Sequence, residues 1–363
     1  MFEVAGLKGS KAVVYADYVE EQAIEQIKAV LDHPSFINEK IAIMPDCHAG
    51  KGCVIGFSGS YSNSIIPSLV GVDIGCGMLA VNVGKEAIDL KALDEAASQV
   101  PWGFGKNEKA IEVDFDYGKL VCKLEEHWIQ NAKLSIGSVG GGNHFMECNV
   151  GNDGSHWIVV HSGSRGFGVS VASYWQDIAK KMHPEMKADL ASLEGEAMQG
   201  YINDVDLAAK WAVLNRKAVM DKVLGLMGLK VVDSFECIHN YVDVEHCIVR
   251  KGSIAAYKGS KVLIPLNMKD GSLICIGKGN EDWNCSAPHG AGRKMSRSQA
   301  KKLISMEDFK ESMKGIYSSS VCESVLDEAP FAYKDANSII NMIDGNSVDI
   351  IDHIHPIWNM KAH

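Results

Sequence analysis

Short glycine-rich stretches carry the most reactive side chains of this sequence. In VGVDIGCGM, residues 70–78, the carboxylate of Asp73 and the thiol of Cys76 lie three positions apart among three glycines. Glycine destabilises regular elements, so this density indicates a chain that turns tightly or closely approaches another group. From the local sequence alone, a small buried cysteine in a tight turn explains Cys76 equally well.

Histidines in similar surroundings extend the set of candidates. Several of the 13 histidines lie beside glycine or small residues near the ends of strand-like segments, where sites usually form. These candidates are His48, His144, His161, His239 and His289. One such histidine is more often structural, but five favour a metal site. Imidazole and thiolate suit Zn, Mn, Fe or Co, a thiolate can bridge two ions, and Asp73 adds an oxygen ligand.

His289 differs from the others because a small-residue turn and a basic segment follow it. The segment GAGRKMSRSQAKK contains no acid, and its cations are Arg293, Lys294, Arg297, Lys301 and Lys302. Backbone N–H groups at such a turn, together with arginines, predict an anion site, although a solvated basic helix face is the alternative. A histidine facing a phosphate could act as nucleophile or general acid. The stretch HSGSRG places Arg165 near His161 in a similar way.

The pattern of elements predicts an α+β fold in one domain over residues 1–363. Strand-like segments occur at 11–15, 40–80, 156–168 and 231–285, and a last one is SVDIIDHIHPIW. Helical patterns occur at 18–32, 85–98 and 118–133, and a helical excursion spans about 169–226. The glycine-rich stretches fit neither GxGxxG nor GxxxxGK[ST], which argues against a dinucleotide or P-loop fold.

Composition narrows the class of protein. The net charge of -10 argues against a nonspecific nucleic-acid coat, but it leaves room for a local basic strip or for metal ions. No signal peptide or membrane-length apolar run is apparent, so we expect a cytoplasmic protein without a membrane partner. The ten cysteines are scattered without CxxC pairs, which predicts reduced, mostly buried thiols.

Eight motifs in this order resemble the RtcB family of RNA ligases, which join RNA 3′-phosphate or 2′,3′-cyclic phosphate ends to 5′-hydroxyl ends. They are MPDCHAGKG, VGVDIGCGM, GGGNHFMEC, HSGSRGFG, CIHNYV, RKGSIAAYKG, HGAGRKMSR and EAPFAYKD. The resemblance runs from about residue 40 to the C-terminus. It implies a single large RtcB-type domain that has a β-rich core, flanking helices and a central cleft for metal and nucleotide.

The resemblance also implies a set of ligands and a reaction. Asp73, Cys76 and His144 would hold one Mn²⁺, and Cys76, His161 and His239 a second, with Zn²⁺ or Co²⁺ as alternatives in purified protein. His289 would be the nucleophile of a GTP-dependent ligation that serves RNA repair or tRNA splicing. It would attack the α-phosphorus of GTP, release pyrophosphate and carry GMP. Guanylate would pass to the RNA 3′-phosphate, and the 5′-hydroxyl would displace GMP.

Further contacts are implied for the nucleotide and the RNA. The nucleotide phosphate and ribose would contact Asn143, Gly290, Ala291 and Gly292. Guanine would be framed by Phe145, Glu147, Ser272, Tyr333 and Lys361. RNA or nucleotide phosphates would contact Arg165, Arg293 and Arg297, with Lys294 a weaker candidate. One loop departs from the family's usual IPGSMG, because IPLNMK replaces it and places Asn267, a candidate nucleotide contact, at the serine position.

Two other functions stay open at this point. The altered loop leaves room for a dinuclear phosphoesterase or cyclic-phosphate hydrolase in which His289 is a general acid and no ligation occurs. A catalytically silent RNA-binding paralogue with structural metals is the other alternative. The sequence identifies no protein partner and does not fix the natural RNA substrate, the metal in the cell or the oligomeric state.

Overall fold

The computed structural model describes residues 1–362. This part of the chain contains seventeen strands and eight α-helices. The strands are β1 (Phe2–Ala5), β2 (Lys11–Val14), β3 (Ile41–His48), β4 (Ile55–Ser60), β5 (Ser64–Ile65), β6 (Gly77–Asn82), β7 (Phe145–Val150), β8 (His156–Ser162), β9 (Leu193–Glu194), β10 (Asp233–Ile238), β11 (Asn240–Asp243), β12 (Ile248–Lys251), β13 (Ser253–Ala255), β14 (Lys261–Asn267), β15 (Gly271–Gly277), β16 (Ser286–Pro288) and β17 (Val348–Lys361). The α-helices are α1 (Glu21–Leu31), α2 (Leu90–Ser98), α3 (Glu126–Ser135), α4 (Arg165–Met182), α5 (Gly195–Met227), α6 (Arg297–Leu303), α7 (Met306–Ser312) and α8 (Ala336–Ile343).

A six-stranded sheet contains the N-terminal strands in the order β1-β2-β3-β4-β12-β11. Its pairs are antiparallel except β2 and β3, which are parallel and are connected through α1. The buried residues Ala23, Ile27 and Val30 recur along α1 at helical spacing. This spacing gives the helix one apolar face, which packs in a core shared with strand residues such as Val14 and Ile43.

A seven-stranded antiparallel sheet forms the β-rich core, in the order β10-β6-β8-β7-β17-β15-β14. It curls until its two edge strands meet, and the thiol of Cys237 on β10 donates to the carbonyl oxygen of Leu263 on β14 at 3.6 Å. The α+β class and the β-rich core predicted from the sequence are therefore confirmed.

The register of this sheet explains why residues far apart in sequence meet. Gly77, which begins β6, pairs with both Ser162 at the end of β8 and Ile238 at the end of β10. Phe145, which begins β7, pairs with His161. The starts of β6 and β7 and the ends of β8 and β10 therefore lie at one end of the sheet.

Most of residues 169–226 lie in α4 and α5, which are separated by a connection that contains Pro184. The helix predicted from residue 118 was too long, because α3 begins only at Glu126 after a short 3₁₀ turn and a loop. Charged and apolar residues alternate loosely in that stretch, and the periodicity alone did not mark where the helix begins. Among residues 1–362, no helix has both the length and the apolar character needed to cross a lipid bilayer.

Candidate metal and nucleotide site

Five side chains converge at this end of the sheet, with the thiol of Cys76 at their centre. Its Sγ lies 3.3 Å from Nε2 of His144 and 3.2 Å from Nε2 of His161. Nε2 of His161 lies 3.4 Å from Nε2 of His239, and Nε2 of His144 lies 3.0 Å from a carboxylate oxygen of Asp73. Two potential three-ligand groups result, one from Asp73, Cys76 and His144 and the other from Cys76, His161 and His239.

The imidazoles are oriented as metal ligands require. Nδ1 of His144 lies 2.9 Å from the carbonyl oxygen of Val139, and Nδ1 of His161 lies 3.2 Å from that of Asn143. Because a carbonyl oxygen only accepts, each Nδ1 donates its N–H to that oxygen, and each Nε2 faces the cluster, where it could bind a metal ion. Burial, together with the neighbouring histidines, lowers the pKa of His161 and His239 well below the usual range, so both rings are neutral at pH 7.

Of the two other metal-ligand candidates in the cluster, Asp73 is ionised and the Cys76 thiol is neutral. Burial raises the pKa of the Asp73 carboxyl, but the hydrogen bond and charge of His144 and the charge of Arg165 outweigh burial and hold that pKa at about 2. Burial and the charge of Asp73 raise the pKa of the Cys76 thiol, with Arg216 opposing them. A metal that binds here would therefore displace the thiol proton, as metals commonly do. This donor set fits borderline divalent ions.

A buried arginine on α5 fixes the backbone around the cluster. Arg216 is fully buried, and its guanidinium donates to the carbonyl oxygens of Gly75 at 2.7 Å and Ser162 at 2.6 Å, while it also pairs with Glu236. Gly75 has a φ of 68° and packs against the backbone of Ala209 on the same helix, so this position requires glycine. The sequence analysis missed Arg216, which resembles an ordinary surface residue of a long helix.

His289 lies beside the cluster and is held by an aspartate that the sequence analysis also missed. Its ring centroid is 4.7 Å from that of His239. Nδ1 of His289 lies 2.6 Å from a carboxylate oxygen of Asp46, which also accepts the backbone N–H of His289 at 3.2 Å. Asp46 is fully buried on β3. With Nδ1 directed at Asp46, Nε2 is the ring nitrogen available to react.

The turn after His289 is built closely onto β3. Gly292 has a φ of 74°, and a Cβ at this position would collide with the backbone of Asp46. Only glycine fits such a left-handed position against another backbone. The HGAG sequence therefore holds His289 against its carboxylate partner.

A cleft of about 330 Å³ joins the cluster to His289, a size common for small-molecule sites. Of the residues predicted for the site, those that line the cleft are Asp73, Cys76, Asn143, Phe145, Glu147, His161, His239, Asn267, His289, Gly290, Ala291, Gly292, Arg293, Arg297, Tyr333 and Lys361. The fifth candidate histidine, His48, also lines the cleft outside the two ligand groups.

Four predicted residues do not line the cleft. His144 directs its Nε2 at the cluster, Nη1 of Arg165 lies 3.4 Å from Nδ1 of that ring, and Nη2 of Arg165 donates to the carbonyl oxygen of Gly103 at 2.8 Å. Ser272 is fully buried, one position beyond the cleft residue Gly271. Lys294, the weaker phosphate candidate, lines a neighbouring cavity instead.

An acidic residue neutralises the cations at the far end of the cleft. Glu328 accepts from Lys361 at 2.9 Å, from the Tyr333 hydroxyl at 2.7 Å and from Arg297 at 2.6 Å, and Arg293 lies 3.3 Å away. Burial raises the pKa of Glu328, but the charges of Lys361 and Arg297 outweigh burial and hold it at about 2. Glu328 begins the motif EAPFAYKD, and its role was not evident from its sequence position.

Glu147 is a second buried carboxyl in the cleft, and its environment is very different. It is 3% exposed, and its Oε1 has no hydrogen-bond partner among the described residues. Burial raises its pKa to about 8, although Asn149 and Lys361 oppose that change. Glu147 is therefore mostly a neutral acid at pH 7 in the structure as it stands.

The altered IPLNMK segment covers the end of β14 and the start of the turn to β15. Oδ1 of Asn267 accepts the backbone N–H groups of Lys269 and Asp270, both at 3.0 Å, and its Nδ2 donates to the Asp270 carboxylate at 2.7 Å. Lys269 is exposed and does not line the cleft. Asn267 therefore stabilises the turn with its amide and presents its body to the cleft.

Comparison with known proteins identifies similar chains. Residues 26–135 and 118–362 match the family described as tRNA-splicing ligase RtcB. The chain is 34% identical to the RNA-splicing ligase RtcB of Escherichia coli strain K12, and the match covers 89% of this chain and 90% of the relative. It is 26% identical to the tRNA-splicing ligase RtcB of Nanoarchaeum equitans, over 94% of this chain and 92% of the relative. These similarities do not favour the hydrolase or the silent paralogue.

Proposed function

The chain belongs to the RtcB family, and on that basis we propose that it is an RNA ligase that joins 3′-phosphate or 2′,3′-cyclic phosphate ends to 5′-hydroxyl ends. One observation carries the proposal. His289 lies in a cleft beside the Asp73, Cys76 and histidine cluster, with its Nδ1 held 2.6 Å from the buried carboxylate of Asp46. This arrangement is suited to a nucleophilic imidazole that acts on a phosphate next to metal ions.

Two Mn²⁺ ions are the proposed cofactors. Asp73, Cys76 and His144 would hold one ion, and Cys76, His161 and His239 the other. Paired divalent ions supply charge stabilisation to phosphoryl oxygens. The Nε2 atoms that face the cluster, the ionised Asp73 and the central thiol are the observations that support this assignment.

His289 carries out the covalent chemistry in this proposal. Its Nε2 attacks the α-phosphorus of GTP, a P–N bond forms, and the bond to the pyrophosphate leaving group breaks. An oxygen of the RNA 3′-phosphate then attacks the GMP phosphorus and breaks the P–N bond. The oxygen of the RNA 5′-hydroxyl finally attacks the phosphorus of the activated 3′-phosphate, forms the phosphodiester bond and displaces GMP. Activation is needed because a bare 3′-phosphate has no good leaving group, and a covalent intermediate divides the difficult step.

Asp46 acts as a positioning residue for this nucleophile. By accepting from Nδ1, it fixes the tautomer that leaves Nε2 free to attack, and its negative charge stabilises the ring as positive charge develops. The hydrogen bond from the backbone N–H of His289 to the same carboxylate fixes the relative position of the two residues.

The remaining residues of the cleft bind GTP and RNA in the proposal. Asn143, Asn267 and residues 290–292 contact the phosphates and ribose of the nucleotide. The base is framed by Phe145, Glu147, Ser272, Tyr333 and Lys361. RNA phosphates are bound by Arg293 and Arg297 in the cleft, and by Arg165 outside it. Since Arg293 and Arg297 are paired with acids in the structure, RNA phosphates would compete with Glu328 for them.

The cytoplasmic location of the protein stays a prediction.

A ligation assay tests the proposed function. The substrate is a pair of RNAs with a 3′-phosphate and a 5′-hydroxyl end, incubated with GTP and Mn²⁺ or with ATP and Mg²⁺. We expect joined RNA only with GTP and Mn²⁺, and none from His289→Ala. His246→Ala is the matched control, because His246 is exposed and outside the cleft. Hydrolysis of the cyclic phosphate without joined RNA would contradict the proposal.

A further inference from the structure

Two buried oxygen atoms in one wall of the cleft have no hydrogen-bond partner among residues 1–362. They are Oε1 of Glu147 and Oδ1 of Asn359. The residue Glu147 is 3% exposed, and the residue Asn359 is 1% exposed. Buried polar atoms are nearly always paired in folded proteins, so unpaired acceptors that line a cleft indicate a ligand that donates to them. Asn359 has no role in the ligand set described above.

The sheet places Asn359 directly beside Glu147. Asn359 on β17 pairs with Glu147 on the neighbouring antiparallel strand β7, and two positions further along Lys361 pairs with Phe145. Directly opposite residues of adjacent antiparallel strands project from the same face of a sheet, about 5 Å apart at Cβ. All four side chains line the cleft, so Asn359 extends the wall that was predicted to frame the base.

The unpaired atom of the Asn359 amide is an acceptor. Nδ2 of Asn359 donates to the carbonyl oxygen of Met268 at 2.9 Å, in the turn between β14 and β15. This bond fixes the orientation of the amide and leaves Oδ1 as its unpaired atom. Together with the ionised form of the Glu147 carboxyl, the wall presents two adjacent acceptor groups.

Two adjacent acceptors match the donor-rich edge of guanine. That edge carries N1–H and a 2-amino group with two hydrogens, whereas adenine presents an unprotonated N1 on the corresponding edge. We propose that Asn359 is a base-specificity residue whose Oδ1 accepts one hydrogen of the guanine 2-amino group, while Glu147 accepts N1–H and the other 2-amino hydrogen. This assignment rests on the proposed use of GTP, and it adds to that proposal the residue that reads the 2-amino group.

Inosine tests the assignment because it is guanosine without the 2-amino group. Isothermal titration calorimetry with GMP and IMP measures base recognition without any chemical step. We expect wild-type protein to bind GMP more tightly than IMP. Asn359→Ala and the shape-preserving Asn359→Leu are expected to reduce the GMP-to-IMP affinity ratio by about tenfold, the effect of one buried hydrogen bond.

The variants are expected to weaken GMP binding and to leave IMP binding nearly unchanged. Asn346→Ala is the matched control, because it removes an amide that is exposed and lies outside the cleft. That control should leave the affinities for GMP and IMP unchanged. Thermal unfolding of each variant establishes that it is folded, and the wild-type ratio tests the assignment without any variant.

The outcomes separate this assignment from the proposed function. Equal binding of GMP and IMP by the wild type, no binding of GMP, or an unchanged ratio in both Asn359 variants would overturn the role of Asn359. A protein that prefers GMP through Asn359 but joins no RNA would contradict the ligase proposal and leave the assignment intact. A protein that joins RNA but whose Asn359 variants keep the wild-type GMP-to-IMP affinity ratio would support the ligase proposal and contradict the role of Asn359.

Discussion

Guanine binding should release a proton from Glu147. Burial raises the pKa of this carboxyl to about 8, so at pH 7 only about one-tenth of the protein carries it ionised. Guanine N1–H and the 2-amino group need an ionised acceptor, and binding must therefore remove the proton from the remaining nine-tenths. At pH 7 the expected release is about 0.9 proton per GMP, at a cost of about 1.4 kcal/mol of binding free energy. The affinity for GMP should rise about tenfold per pH unit below pH 8 and level off above it.

Calorimetry in several buffers measures this release. At pH 7, GMP is titrated into the protein in phosphate, HEPES and Tris, and the slope of observed enthalpy against buffer ionisation enthalpy gives the number of protons released. Glu147→Gln should bind more weakly and show a slope near zero. A slope near zero for the wild type, or a GMP affinity independent of pH between 6 and 8, would refute the reasoning.

The same pKa also predicts an effect on the stability of the folded chain. Because the neutral acid favours the folded chain, the contribution of Glu147 to the free energy of unfolding is complete below pH 4.5 and decreases until the pH passes about 8.

Two further predictions concern the metal cluster and the nucleophile. Cys76→Ala should lose both ions and Asp73→Ala chiefly one, because only the thiol belongs to both ligand groups; elemental analysis of protein dialysed against Mn²⁺ measures this, and equal losses would contradict the bridging role. Asp46→Asn should slow transfer of GMP to His289 by about 100-fold or more at unchanged metal content, as loss of an imidazole's orienting carboxylate does elsewhere. Asp349→Asn is the control for Asp46→Asn, because Asp349 is exposed. A wild-type rate for Asp46→Asn would contradict the positioning role.

Sequence reading located the cluster because its members have distinctive types and surroundings. Cys76, His144 and His239 each lie next to the end of a strand, and the apolar pattern of those strands was visible in the sequence. Which strand ends meet depends on the order β10-β6-β8-β7, and that order is a property of the folded sheet. The candidates could therefore be named from the sequence, but their distances could not.

The residues that the sequence analysis missed act through distant partners. Asp46 lies in an apolar strand and is 243 positions from His289, so no local pattern relates the two. Arg216 lies on a long helix, where arginine is normally exposed, and its burial follows from the carbonyl oxygens that surround it. Glu328 changes the interpretation of Arg297, because a basic segment without acids in the sequence is paired with acids in the fold.

The central claim is that His289 carries GMP on the route to joined RNA, and a pulse-chase experiment tests it most directly. The protein is incubated with GTP labelled at the α-phosphorus and Mn²⁺, freed of nucleotide, and then mixed with RNA that has 3′-phosphate and 5′-hydroxyl ends. We predict an acid-labile label on the wild type and none on His289→Ala. On addition of RNA, the label should leave as GMP while joined RNA appears in equal amount. Joined RNA without a labelled intermediate, or a wild-type level of label on His289→Ala, would contradict the account.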